Sequence, residues 1–293
     1  METIRTIHWM KEAARQARAE NHLVGLVPTM GALHEGHLSL VRRAKQECTR
    51  VYSSIFVNPA QFGPNEDFAT YPRAFESDSA KFCELGVDAL FAPTPEDIYP
   101  AGFSTYVTVE GIGDRLEGRA RPGHFRGVST VVLKLFEIIQ PDFAYFGRKD
   151  AQQVAVLKKM ACDLNLNVQI VVCPIVREPN GLALSSRNAY LSPEERSAAV
   201  VLHRSLEAAR EKIASGTRDA LAIQNAMRDV FEKERLARLD YAEVVSADTF
   251  EATPRISRAS YVLVAARLGE TRLLDNMLVE PKRADSSELV FHL

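Results

Sequence analysis

Five apolar runs of strand length, at residues 23–27, 51–57, 89–92, 143–146 and 168–172, alternate in the first half of the chain with longer helical stretches. The helical stretches cover about 5–20, 38–48, 75–85, 125–139 and 151–164. Strands that are apolar throughout are buried on both faces, and crossover helices supply that cover. The alternation therefore predicts βαβ units around a parallel sheet. Such a sheet binds its ligand outside the carboxyl ends of the strands, so the loops after the strands should carry the chemistry.

The second half changes character. Residues 193–235 are helical and charged, broken at Ser215-Gly216, and three strand-like segments follow at about 239–246, 260–267 and 273–280. Pro, Gly and Ser cluster over 174–188, which places the expected boundary there, and a chain of 293 residues suits two domains. The expected fold is α/β: a Rossmann-like parallel-sheet domain over 1–175, then a smaller α+β lid domain over 176–293. The last stretch, PKRADSSELVFHL, reads as a loosely held tail from about residue 281. Trp9 reads as core packing.

Three loops stand out. The first, PTMGALHEGH (28–37), joins the first core strand to the next helix. Its glycine-bearing turn delivers His34 and His37 to a helix N-terminus, where backbone N–H groups and the dipole favour phosphate. Two imidazoles there can donate hydrogen bonds to phosphate oxygens as charge develops. The helix N-terminus disfavours a cationic His37, yet a neutral imidazole still donates one hydrogen bond. A polar turn with incidental histidines sits poorly with two of seven histidines falling in one loop. HEGH is not the HExxH of zinc proteases, and neither a Walker loop nor a dinucleotide fingerprint is present. The second loop, Gly147-Arg148-Lys149-Asp150, offers a compact ammonium for a triphosphate and, in Asp150, an N-cap. In the third, Leu184-Ser185-Ser186-Arg187, two hydroxyls and a guanidinium can grip phosphates.

HEGH is a variant of the HxGH signature of class I aminoacyl-tRNA synthetases and small nucleotidylyltransferases, which attack the α-phosphorus of a nucleoside triphosphate. Within that superfamily, PTMGALHEGH, FVNPAQF (56–62), YPR (71–73), the 118–125 loop, FGRKDAQQ (146–153) and GLALSSRNAYL (181–191) occur in one order. Together they resemble the pantothenate synthetases over about residues 3–280. The resemblance implies ATP-dependent condensation of pantoate with β-alanine through a pantoyl adenylate, releasing AMP and pyrophosphate. It implies His37, His34 and Lys149 as catalytic residues. ATP would contact Met30, Gly31, Ala32, Leu33, Glu35 and Gly36 beside the histidines, then Gly147, Arg148 and Asp150 beside Lys149. Val176, Leu184, Ser185, Ser186 and Arg187 would complete that site. Gln61 and Gln153 would hold pantoate, with Gln61 also near β-alanine. Asp78 lies where the family has an acidic residue near Mg2+, preceded by Ser77 where an Asp often stands. Leu184 replaces the usual Met and Arg148 a frequent Glu. A homodimer is also implied.

Composition narrows the alternatives. The net charge of −2, from 36 basic and 38 acidic residues, leaves no electrostatic footprint for nucleic acid. The longest apolar stretches are about nine residues, short of the ~20 that span a bilayer, and the charged N-terminus lacks a signal-peptide core. Four scattered cysteines without a CxxC pair predict reduced, mostly buried thiols in a cytoplasmic protein.

Overall fold

The computed structural model describes residues 1–64, 66–281 and 289–293. The chain forms two compact units, Met1–Arg148 with Gln152–Cys173, and Lys149–Ala151 with Pro174–Leu293.

In chain order the first unit contains β1 (Glu2–Ile4), α1 (Ile7–Ala19), β2 (Val24–Thr29), α2 (Glu35–Glu47), β3 (Arg50–Ile55), α3 (Phe75–Glu84) and β4 (Ala89–Phe91). It continues with α4 (Pro95–Ile98), α5 (Glu117–Ala120), α6 (His124–Ile139), β5 (Phe143–Gly147), α7 (Ala151–Asp163) and β6 (Gln169–Cys173). The six strands are parallel, in the order β1-β4-β3-β2-β5-β6. From β2 the chain builds outward through β3 and β4, then returns to place β5 on the other side of β2. The order reverses there, so the loops leaving β2 and β5 diverge from neighbouring strands, the arrangement that opens a ligand crevice in such sheets. Val27, Val41, Val51, Phe82, Leu90 and Tyr145 are buried where α2 and α3 cover one face.

Three local expectations are corrected. Pro28 lies inside β2 in register with Ser54, and does not end the strand. Pairing with β5 stops at Leu26, so at Pro28 the strand is laddered on one side only, where a missing N–H is tolerated. Trp9 is 62% exposed. The buried stripe of α1 is Met10, Ala14 and Ala17, and Trp9 sits one residue out of phase with it. Of the cysteines, Cys48 and Cys173 are buried but Cys83 and Cys162 are exposed.

The second unit contains α8 (Pro193–Ala198), α9 (Val201–Ala214), α10 (Ala220–Phe231), β7 (Ala237–Ser246), β8 (Ser260–Leu268), β9 (Thr271–Pro281) and β10 (Leu289–His292). Its antiparallel sheet runs β10-β9-β8-β7, and Leu206, Ile213, Ile223, Met227, Val262, Val264 and Met277 form a core between sheet and helices. Of the tail expected to be loose, residues 282–288 lie outside the described residues. Leu289–His292 instead pair with β9, from Leu289 opposite Pro281 to His292 opposite Leu278.

Candidate active site

The loop after β2 turns sharply through two consecutive left-handed residues, Gly31 (φ 84°) and Ala32 (φ 52°). Glycine adopts that conformation readily, whereas alanine does so at a cost. Asp78, at the start of α3 and only 1% exposed, offsets it. Its Oδ2 accepts from the Ala32 N–H at 2.7 Å and its Oδ1 from the Leu33 N–H at 2.9 Å. Lys81 Nζ closes the arrangement by donating to the Leu33 carbonyl at 2.8 Å, and lies 3.7 Å from Asp78 Oδ1.

The turn ends at His34, the N-cap of α2. His34 Nδ1 accepts from the Gly36 N–H at 3.1 Å, and His37 Nδ1 accepts, at a long 3.4 Å, from the His34 N–H. An imidazole nitrogen that accepts carries no proton, so the hydrogen-bond network assigns the neutral tautomer with hydrogen on Nε2 to both rings. The half-buried rings lie 4.1 Å apart, centroid to centroid. The exposed Glu35 side chain is ion-paired with Arg42.

Gln61 follows β3 in a short 3-10 turn, Pro59–Gln61, and is 9% exposed. Asn58 aims it: Asn58 Nδ2 donates to Gln61 Oε1 at 3.0 Å and to the Gly127 carbonyl at 3.1 Å. Tyr99 Oη in turn donates to Asn58 Oδ1 at 2.7 Å, and burial pushes that phenol upward in pKa. Gln61 Nε2 has the Met30 sulfur at 3.0 Å, a weak acceptor that a hydroxyl ligand would readily outcompete. Helix α6 lies against this turn because Gly127 has no side chain; a Cβ there would sit 2.2 Å from the Ala60 oxygen. His124 Nδ1 donates to the Gln61 carbonyl (2.9 Å) while its Nε2 accepts from Arg121 (3.0 Å), which also clamps Glu66 at 2.6 and 2.8 Å. Burial alone would raise the Glu66 carboxyl, and Arg121 more than offsets this, holding it below its usual range.

Adjacent glutamines on α7 divide labour. Gln152 is buried and accepts from the Glu117 N–H while donating to the Ile112 and Arg115 carbonyls. Gln153 is half-buried, and its side chain makes no hydrogen bond to another described residue. A cavity of about 240 Å³ adjoins the β2 loop, lined by Met30, Gly31, Phe56, Phe68, Arg73 and Asp78 among others.

Lys149 and the Ser185–Arg187 residues belong to the second unit. Lys149 and its neighbours Arg148 and Asp150 form a 3-10 turn directly before α7. Ser185 caps the 3-10 turn Ser186–Tyr190, its Oγ accepting from the Arg187 N–H at 3.3 Å. The Leu184 N–H donates to the Val176 carbonyl at 2.9 Å, so these two candidate nucleotide contacts are laced together.

The first unit thus brings together Met30, Gly31, Ala32, Leu33, His34, His37, Gln61 and Asp78. The buried oxygens of Asp78 serve two backbone amides, so in this structure its carboxylate is engaged by the turn. Asn58, Arg121 and His124 were not singled out from sequence, although Asn58 lies within FVNPAQF, and His124 and Arg121 within the 118–125 loop. Residue type alone does not distinguish them from surface polar groups.

A parallel sheet whose switch-point loop presents an HxGH pair at a helix N-terminus defines an enzyme of the class that activates substrates with ATP. The family model for pantoate-beta-alanine ligase matches residues 2–278, and the chain belongs to that family. It is 54% identical over 280 residues to the pantothenate synthetase of Acetivibrio thermocellus, covering 96% of this chain and all of that one. It is 52% identical over 282 residues to that of Caldicellulosiruptor bescii, with 96% and 100% coverage. The crystal structure of pantothenate synthetase from Thermus thermophilus superposes with a TM-score of 0.90 at 46% identity, covering 94% of this chain and 98% of that one. The pantoate-beta-alanine ligase of Francisella tularensis, complexed with beta-gamma ATP and beta-alanine, gives 0.77 at 37% identity, with 94% and 97% coverage.

Proposed function

We propose that the histidine pair of the β2 loop is the electrophilic centre at which this ligase activates pantoate. The enzyme condenses pantoate with β-alanine at the expense of ATP, through a pantoyl adenylate. In the first step a pantoate carboxylate oxygen attacks the α-phosphorus, and the bond to the β-phosphate oxygen breaks to release pyrophosphate. In the second the β-alanine amine attacks the acyl carbon, AMP leaves, and the amine gives up its proton as the amide forms.

The observation that carries the reading is the hydrogen-bond pattern: His34 Nδ1 accepts from the Gly36 N–H and His37 Nδ1, at 3.4 Å, from the His34 N–H, the pattern of neutral rings with hydrogen on Nε2. These neutral donors, with the Lys149 ammonium, stabilise charge as it develops on the phosphates. Ser185, Ser186 and Arg187 grip the leaving pyrophosphate. Met30, Gly31, Ala32, Leu33, Glu35, Gly36, Gly147, Arg148, Asp150, Val176 and Leu184 lie along the nucleotide, Arg148 and Leu184 through backbone or apolar contact. Magnesium enters with the nucleotide substrate as MgATP. The resemblance to the pantothenate synthetases supports a cytoplasmic homodimer. Isotope exchange between pyrophosphate and ATP tests the order of steps. Exchange should require pantoate and proceed without β-alanine; an absolute need for β-alanine would overturn the adenylate route.

Gln61 and Gln153 hold pantoate by its hydroxyls, with Gln61 also near β-alanine. An arginine on the carboxylate would stabilise the oxygen that must attack, and only interactions that strengthen in the transition state help the rate. Neutral amides avoid that penalty. Gln61→Ala should cost roughly 5- to 150-fold in pantoate kcat/KM, the value of one buried partner at about 1–3 kcal/mol. Gln153→Glu should be worse, because a second carboxylate repels the substrate in a partly desolvated site. ATP affinity should barely change in either variant. Normal pantoate kinetics in Gln153→Glu would remove these glutamines from the acid site.

A further inference from the structure

Two consecutive residues of β9, Asp275 and Asn276, are 2% and 1% exposed. Asp275 takes both terminal nitrogens of Arg177, with Nη1 donating to Oδ2 at 2.6 Å and Nη2 to Oδ1 at 3.0 Å. The same Arg177 Nη1 donates to the Gly181 carbonyl at 3.0 Å, at the start of the segment that leads to Ser185, Ser186 and Arg187. Asn276 Nδ2 donates to the Lys149 carbonyl at 2.8 Å, and the Asn276 N–H donates to Asp275 Oδ1 at 2.8 Å. Neighbouring strand residues face opposite sides of a sheet, which lets one dipeptide reach two separate elements.

The segment it holds is also bonded internally. Residues 177 and 183 form a β-bridge, and Asn188 Nδ2 donates to the Ala183 carbonyl at 3.1 Å. Gly181 has φ 95°, and a Cβ there would lie 2.0 Å from His203 Cδ2, so the carbonyl that Arg177 grips has little room to wander. A buried ion pair adds little net stability over well-packed apolar residues. What this pair supplies is direction.

We propose that Asp275 and Asn276 are positioning residues of the phosphate clamp, Asn276 acting on Lys149 directly and Asp275 on the 181–187 segment through Arg177. This rests on the clamp assigned to Lys149 and Ser185–Arg187 above. A carbonyl anchor sets where the Lys149 ammonium starts from, and a misplacement of about 1 Å at a reacting centre can cost ~10²-fold in rate.

A double-mutant cycle tests it, using pantoate-dependent pyrophosphate exchange in Asn276→Ala, Lys149→Ala and the double variant. Asn276→Ala should lower kcat about 10- to 100-fold while leaving the KM for pantoate within about threefold, as expected for a group that acts only through another. In the Lys149→Ala background the same change should cost less than about threefold, because the ammonium it positions is gone. A normal rate in Asn276→Ala, or an equal fold-loss in both backgrounds, would overturn the proposal. Should Asn276→Ala fail to fold, Asn276→Thr retains a strand-forming side chain without the reach to Lys149, and is read by the same criteria. Lys149→Ala at normal rate would instead defeat the clamp itself, an outcome separate from a slow Lys149→Ala beside a normal Asn276→Ala.

Discussion

Replacing His37 by alanine is expected to slow pantoyl adenylate formation by ~10²–10³-fold, the usual cost of losing one transition-state donor. The protein should stay folded. The hydrogen bond that the His37 ring accepts from the His34 N–H is 3.4 Å long, beyond the range of a strong one. His34 needs a subtler change, because its Nδ1 also caps α2. His34→Asn retains an N-cap acceptor while removing the imidazole donor, so it should keep the stability of the parent and lose a comparable share of rate. Lys149→Ala should fall by at least ~10²-fold as well. Single-turnover adenylate formation in each variant, beside its thermal midpoint, separates the two effects. Near-normal rates in folded His37→Ala would place the developing charge elsewhere.

Much of this was legible in the chain, for reasons that differ by residue. The core strands of the first sheet are apolar on both faces, so periodicity found all but one of them; β1, three residues long with two exposed, carries no such signal. The histidine pair at the start of α2 was legible because spacing and a preceding strand are local properties. What sequence could not supply is partnership across long separations. Asp78 reads as an acidic residue near a metal, yet it is 46 and 45 residues from the amides it holds. His124 binds the Gln61 carbonyl across 63 residues, and Asn276 the Lys149 carbonyl across 127. Trp9 misled because aromatic character argues for burial while helical phase decides it.

Asp78 gives the sharpest test of that difference. If the carboxylate holds the loop, Asp78→Ala takes from the buried Leu33 amide and the half-buried Ala32 amide the acceptors they have here, at about 1–3 kcal/mol each. It also removes what offsets the left-handed Ala32. The expected loss of stability is therefore about 3–5 kcal/mol, with adenylate formation falling at least ~10²-fold because both histidines hang from this turn. Asp78→Asn keeps one oxygen to accept from one amide but sets an NH2 group against the other, two donors facing each other. It should lose about half as much stability, at roughly 2 kcal/mol, and still act slowly. A metal ligand would behave otherwise. Weakened metal binding is restored by mass action, so raising Mg2+ would recover the rate of Asp78→Asn, and the fold would be little disturbed. The measurement is denaturant unfolding of both variants, with adenylate formation followed across a wide range of Mg2+. Recovery of the parental rate at high Mg2+ with unchanged stability would make Asp78 a metal ligand after all; a loss of both that added Mg2+ leaves in place makes it the residue that shapes the HxGH turn.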